Sequence, residues 1–84
     1  MPSRARKLVK SVHSAEHADF CAAMIAARKR AGLTQETLAS RLKRPQSFVA
    51  KYEGGERRLD VIEFLTIAKA IGADPLRLIK RLIG

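Results

Sequence analysis

The sequence predicts an all-α fold in which five short helices form one domain. The chain has 84 residues, enough for one domain only, and 46% of them are hydrophobic, which is enough for a core. Glycines and prolines divide it into segments of helical length, and no segment alternates apolar and polar residues long enough to predict a strand. The domain is predicted to span residues 14–84, after a basic N-terminal arm at residues 1–13.

End signals place the first two helices. Ser14 fits the N-cap of a helix that continues to Ala31, and Gly32 ends that helix. Thr34 fits the same role for a second helix, which ends at Leu42.

A tight turn separates the second helix from the third. Only residues 43–45 lie between them, and the third helix begins near Pro45, a residue tolerated in a first helical turn, and ends at Gly54. So short a turn makes two helices cross steeply, which is the geometry of a helix-turn-helix. Residues 34–54 are therefore predicted to form that motif, with the small Ala39 where the helices approach each other.

The last two helices also follow from their start signals. Asp60 and Glu63 form a D-x-x-E pattern that favours a fourth helix at residues 61–71. Asp74 and Pro75 introduce a fifth helix, predicted at residues 76–82.

The charge of the chain predicts a polyanionic partner. Lys and Arg number 17 against 8 Asp and Glu, a net charge of +9. No apolar run approaches the roughly 20 residues of a membrane span, and the charges are spread over several short helices, unlike a membrane-surface helix. Cys21 is the lone cysteine, which excludes an internal disulfide and favours a reducing, cytoplasmic compartment.

One face of the third helix is suited to the major groove of DNA. On a helical wheel, Val49 and Tyr52 lie on an apolar side. The opposite side carries Gln46, Ser47, Ala50 and Lys51. Amide and hydroxyl groups suit base edges, and small residues permit close approach. These four residues are therefore predicted to contact bases.

Basic residues flank this face and are predicted to contact DNA phosphates. They are Lys43, Arg44, Arg57 and Arg58. Phosphate contacts position a protein without reading sequence. A solvated surface turn is the alternative for Arg57 and Arg58, and for residues 1–13 both DNA contact and disorder without function stay open.

No enzymatic site is predicted. The chain has no Ser/His/Asp, Cys/His or paired-carboxylate arrangement at useful spacing. His13 and His17 are four residues apart, but no third ligand is near them, so neither a metal nor another cofactor is expected.

Between residues 18 and 72, many residues stand at characteristic spacing. They are Arg28, the run Gly32-Leu33-Thr34-Gln35, Leu38-Ala39, Gln46, Val49, Glu53, Gly55 and the run LTIAKAIG at 65–72. This pattern resembles the phage repressor and Cro type of helix-turn-helix, also called the xenobiotic-response-element (XRE) type.

The resemblance implies a compact five-helix, lambda-repressor-like domain whose third helix faces bases. It implies that Thr34 and Gln35 hold a phosphate at the start of the second helix, where backbone N–H groups suit an anion. It also implies that Arg28 pairs with Glu53 and ties the first helix to the end of the third.

The chain departs from the family pattern at two positions. Lys43 stands where glycine is common, so either Lys43 accepts a strained positive φ or the turn differs. Pro45 stands where Ser or Thr is common, which removes a hydroxyl cap and leaves the tilt of the third helix open.

These features predict a sequence-specific regulator of transcription, bacterial or phage in type, that represses by binding double-stranded operator DNA as a homodimer. An antitoxin that binds a partner toxin and autoregulates its operon is the alternative. Surplus apolar residues in the fifth helix are either ordinary packing or, as we favour, a dimer interface. They are Leu76, Ile79, Leu82 and Ile83.

Overall fold

The computed structural model describes residues 14–83, and within that range it contains helices and no strand. The helices are α1 (Ala15–Arg30), α2 (Gln35–Leu42), α3 (Gln46–Glu53), α4 (Val61–Ile71) and α5 (Pro75–Ile83). The prediction of an all-α, five-helix fold is confirmed. The basic arm at residues 1–13 lies outside the described residues.

Side-chain caps begin α1, α2 and α4 where the sequence predicts. Ser14 accepts a hydrogen bond from a backbone N–H three residues later at 3.1 Å, and Thr34 accepts one from Thr37 at 3.0 Å. Asp60 and Glu63 form a reciprocal capping box, with bonds of 2.7 and 3.0 Å between each side chain and the other residue's N–H. Loss of such a cap typically costs about 1 kcal/mol.

The core holds α3 in place. Its most completely buried side chains come from four helices and are Met24, Leu38, Val49, Tyr52 and Ile67. Ala39 is 3% exposed, which confirms it as a small residue in the core cluster that also contains α3 side chains. α2 packs against α3 and α4, while α1 packs against α3 and α5. With Val49 and Tyr52 facing inward, the other side of α3 faces out.

Among the described residues, no helix is both long and apolar enough to cross a membrane.

Lys43 accepts the left-handed conformation that the turn requires. Its φ and ψ are 56° and 42°, and it is the one non-glycine residue with positive φ among residues 14–83. The next N–H, that of Arg44, bonds to the Ala39 carbonyl at 3.0 Å, as in helices that end through a left-handed residue. The turn thus keeps the geometry for which glycine is usual.

Lys43→Gly is expected to stabilise the fold by about 0.5–1 kcal/mol. A non-glycine residue costs roughly 1–2 kcal/mol in this conformation, and the greater freedom of glycine in the unfolded chain offsets part of the gain. Lys43→Ala is the control, because it removes the side chain and keeps the strain. Urea unfolding of both variants measures the difference, and a glycine variant no more stable than the alanine variant would contradict this origin of the strain.

Pro45 does not displace α3. It is the N-cap residue, with φ −63° and ψ 153°, and no side chain caps the helix there. α3 nevertheless begins at Gln46, and the N–H of Phe48 bonds to the Pro45 carbonyl at 3.0 Å. The family departure at Pro45 therefore leaves α3 without a side-chain cap, and the helix still forms from Gln46.

Candidate nucleic-acid interface

The polar side of α3 faces away from the core. Gln46, Ser47 and Lys51 are exposed and Ala50 is half-buried, whereas Val49 and Tyr52 on the other side are buried. The structure therefore places all the predicted base-contacting residues together on one outer helix face.

A buried ion pair anchors the end of α3 to α1. Arg28 Nε donates to Glu53 Oε2 at 2.7 Å and Arg28 Nη2 to Glu53 Oε1 at 3.1 Å, as the resemblance implies. Arg28 Nη1 donates to the Leu33 carbonyl at 2.8 Å. The two charged residues are only 8% and 6% exposed. The bond to the Glu53 carboxylate raises the pKa of the Arg28 guanidinium, so the charge of Arg28 persists at all ordinary pH values.

Two glutamines connect this ion pair to the outer face of α3. Gln35 Nε2 donates to Glu53 Oε1 at 3.0 Å, and Gln46 Nε2 donates to Gln35 Oε1 at 3.4 Å. Gln35 and Gln46 are the first residues of α2 and α3. The Gln35 side chain, which was predicted to hold a phosphate, is thus bonded to Glu53 and Gln46. A phosphate at the start of α2 would therefore meet the backbone N–H groups of the first turn and not this side chain.

Arg44 and Arg57, two of the predicted phosphate-contacting residues, contact the same carboxylate and the same aromatic ring. We call these two residues the arginine pair. Arg57 forms two bonds to the Glu63 carboxylate, from Nη1 at 3.0 Å and from Nη2 at 2.8 Å. Arg44 Nη2 lies 3.9 Å from the same carboxylate. Both guanidiniums lie over the Phe48 ring, 4.6 and 4.9 Å from its centroid. The hydrogen bond from Arg57, with that from the Asp60 N–H, lowers the pKa of Glu63 to about 2.

The other two predicted cations, Lys43 and Arg58, are exposed. The side chain of neither makes a hydrogen bond or ion pair with the described part of the chain. Their charges are therefore available to an outside anion.

Sequence reasoning identified Glu63 as a helix cap and missed its bond to Arg57. The D-x-x-E spacing is a local signal, but Arg57 reaches Glu63 from an irregular loop, for which no spacing rule exists. Phe48 was likewise outside the predicted site, although its ring carries both arginines.

The described residues offer little for metal or redox chemistry. No group of three His, Cys, Asp or Glu residues within 14–83 could hold a metal ion, and His13 lies outside that range. Cys21 is buried, its thiol donates to the Tyr52 carbonyl at 3.3 Å, and burial raises its pKa. An inert, buried role fits Cys21.

The apolar residues of α5 divide between the core and the surface. Leu78 is buried and Leu82 half-buried, whereas Leu76 and Ile83 are 77% and 80% exposed and Ile79 lies between, at 38%. A second exposed apolar set, which the sequence analysis missed, lies on α4 and consists of Val61, Ile62 and Leu65.

An outward polar face on α3, a tight turn before it and flanking cations define a helix-turn-helix protein that binds DNA. Residues 24–79 match the family described as helix-turn-helix domain. A solved structure described as an XRE-family like protein from Pseudomonas syringae pv. tomato str. DC3000 is 47% identical, with a TM-score of 0.80, and the match covers 90% of this chain and 93% of that one. No curated protein matches the chain. The chain belongs to the helix-turn-helix family of the Cro/XRE type, a class of DNA-binding transcription regulators.

Proposed function

We propose that the protein is a non-enzymatic repressor of the cytoplasm that binds a double-stranded DNA operator in a sequence-specific manner as a homodimer. The observation that carries this proposal is the outer face of α3, whose hydrogen-bonding side chains are exposed while its opposite face is locked into the core. A helix presented in this way can enter the major groove, which an α-helix fits.

The side chains of this face suit direct contact with bases. The amide of Gln46 can donate to and accept from the same adenine edge. Ser47 and Lys51 add a hydroxyl group and an ammonium group, and the Ala50 methyl can meet the methyl of thymine. We assign these four residues to base contacts.

The surrounding cations and a helix start would position α3 on the DNA backbone. Lys43 and Arg58 have free charges, and the arginine pair lies beside the first turn of α3 through its contact with Phe48. The start of α2, at Thr34 and Gln35, adds N–H groups that suit a phosphate. Such contacts set register and orientation and carry no sequence information.

Two arguments support the proposed homodimer. The first is the number of base pairs that a regulator must contact to select one site, and the second is the exposed apolar face of α5. One short helix contacts only a few base pairs, too few to define one site among the many of a genome. A two-fold dimer doubles the number and sets half-sites about 34 Å apart. Leu76, Ile79, Leu82 and Ile83 lie on α5, away from α3 in the chain, and a self-complementary apolar patch is what a two-fold interface requires.

Gln46→Ala is expected to weaken binding to the operator by about 1–3 kcal/mol and to relax preference at one base position. Arg58→Ala is the matched control, because it should weaken binding to every sequence alike and lower the slope of log K against log salt by about 1. Footprinting of the upstream region of the gene supplies the operator duplex. Fluorescence anisotropy on that duplex and on random DNA then separates the two effects. If both variants lose the same affinity on the operator and on random DNA, α3 does not read bases.

The antitoxin is a second candidate because the exposed apolar residues Val61, Ile62 and Leu65 on α4 have no role in the proposed repressor. An apolar surface on a partner protein could cover these three residues. Co-expression with the product of the neighbouring reading frame tests this. A stable complex that Ile62→Asp abolishes would support it, and separate elution of the two proteins would oppose it.

A further inference from the structure

We propose that Glu63 is a positioning residue for DNA binding: its carboxylate holds the arginine pair in the arrangement that receives a DNA phosphate. This inference rests on the proposed function, and it makes an acidic residue beside the DNA favourable to binding.

The bond between Glu63 and Arg57 fixes the guanidinium plane. Two parallel N–H···O bonds of 2.8 and 3.0 Å join them, and Arg57 Nη1 also donates to the Arg58 carbonyl at 2.9 Å. A two-bond contact of this kind fixes orientation as well as distance. These bonds leave the Nε–H and one N–H of Nη2 without an acceptor in the described part of the chain. Donors for an outside oxyanion therefore remain on a guanidinium that is already held.

Phe48 places the pair next to the reading face. Both guanidiniums lie within 5 Å of its ring centroid, and cations are attracted to the face of such a ring. Phe48 is itself only 9% exposed, and its ring meets the Tyr52 ring edge-on at 5.5 Å, so core packing holds it in place. Since Phe48 directly follows Gln46 and Ser47 in the first turn of α3, a phosphate held here would set the depth of that turn in the groove.

The network still offers hydrogen-bond donors to an anion. The Asp60 carboxylate also acts on Arg57, so two guanidiniums are matched by two carboxylates, and the attraction comes from the remaining N–H donors of Arg57. Glu63 stays ionised at any pH used for DNA binding, because its pKa lies near 2. Long, flexible side chains lose conformational freedom when they bind, and side chains that are already held lose less of it.

Simple electrostatics predicts the opposite result. A carboxylate close to DNA repels phosphates, so removing its charge should tighten binding to any duplex. The direction of the change in affinity therefore decides between repulsion and positioning.

The test is Glu63→Gln, with Glu56→Gln as the control. Glutamine serves in a capping box as glutamate does, so the start of α4 is kept, while the ion pairs to both arginines are lost. Glu56 is an exposed acid in the same loop region, and its side chain makes no hydrogen bond or ion pair in the described part of the chain. We expect Glu63→Gln to raise the Kd for the operator duplex about 5-fold, the order of factor expected when long side chains must be ordered on binding. Glu56→Gln should leave the Kd unchanged or lower it.

Further variants separate the possible failures. Glu63→Asp keeps the charge but is too short to keep both bonds to Arg57, so it should also weaken binding. In an Arg57→Ala background, Glu63→Gln should lose most of its effect, because Glu63 acts through Arg57. Melting curves recorded beside each titration compare the folded fractions. Glu63→Gln binding as tightly as wild type or tighter overturns the inference, and so does Glu63→Asp binding like wild type. If Arg57→Ala binds DNA as wild type does, the phosphate contact assigned to Arg57 fails, and if wild type binds no DNA, the proposed function fails.

Discussion

Glu53→Ala is expected to destabilise the protein by about 3 kcal/mol, the low end of the range for breaking a buried ion pair. The substitution leaves the guanidinium of Arg28, only 8% exposed, without its carboxylate. It also removes the acceptor of the Gln35 amide. An uncompensated buried charge costs more than the pair itself contributes, which is why the loss is expected to be large.

Urea unfolding at neutral pH measures this loss, and Glu56→Ala is the control because it removes an exposed acid from the same region of the chain. The control should change the free energy of unfolding by no more than about 0.5 kcal/mol. A double variant, Arg28→Met with Glu53→Leu, should recover part of the stability, since it leaves no charge unpaired. Coincident unfolding curves for wild type and Glu53→Ala would show that the ion pair does not hold α1 to α3.

Ile79→Asp is expected to dissociate the proposed homodimer and to weaken binding to a two-half-site operator by about 100-fold or more. Ile79 lies between the more exposed Leu76 and Ile83 on α5, so a carboxylate there places a charge in the middle of the proposed interface. A dimer that contacts two half-sites binds roughly 10² to 10⁴ times more tightly than a monomer that contacts one. A monomer keeps α3 intact and loses that factor.

Sedimentation velocity and anisotropy on whole and half operators measure the two effects. Ile62→Asp is the matched control, because it introduces the same charge at an exposed apolar position on α4. It should remain dimeric. If Ile62→Asp dissociates and Ile79→Asp does not, the interface lies on α4, and a wild-type monomer at tens of micromolar would defeat the dimer altogether.

The parts of this fold that could be predicted from sequence are those set by local signals. Asp60 and Glu63 start α4 at Val61, as predicted, because a capping box depends on four consecutive residues. The conformation of Lys43 could not be decided, since the cost of a positive φ must be weighed against packing that sequence does not show. The contact between Arg57 and Glu63 depends on the path of a loop. The exposure of Ile62 depends on which neighbours cover α4.

The hypothesis that α3 reads bases follows from the order of polar and apolar residues in the sequence. The structure adds the orientation of Gln46, the first residue of that helix. Helical periodicity predicts which side of α3 faces out. It cannot predict that the Gln35 side chain turns toward Glu53, because that choice depends on a carboxylate eighteen residues away.

If Gln46 contacts a base as proposed, the bonds from Arg28 through Glu53 and Gln35 to Gln46 connect the choice of operator to the buried ion pair. Gln46 donates one amide hydrogen to Gln35 at 3.4 Å, which leaves its other hydrogen and its oxygen for a base edge. One donor beside one acceptor matches the edge of adenine and mismatches the two acceptors of guanine. A lineage of such proteins could therefore acquire a new target sequence through a substitution at Gln35, whose side chain is directed to Glu53 and Gln46 and not to a base. Conversely, a substitution at Gln46 also removes the hydrogen bond that Gln35 Oε1 accepts, so the base contact and the orientation of the Gln35 side chain would change together.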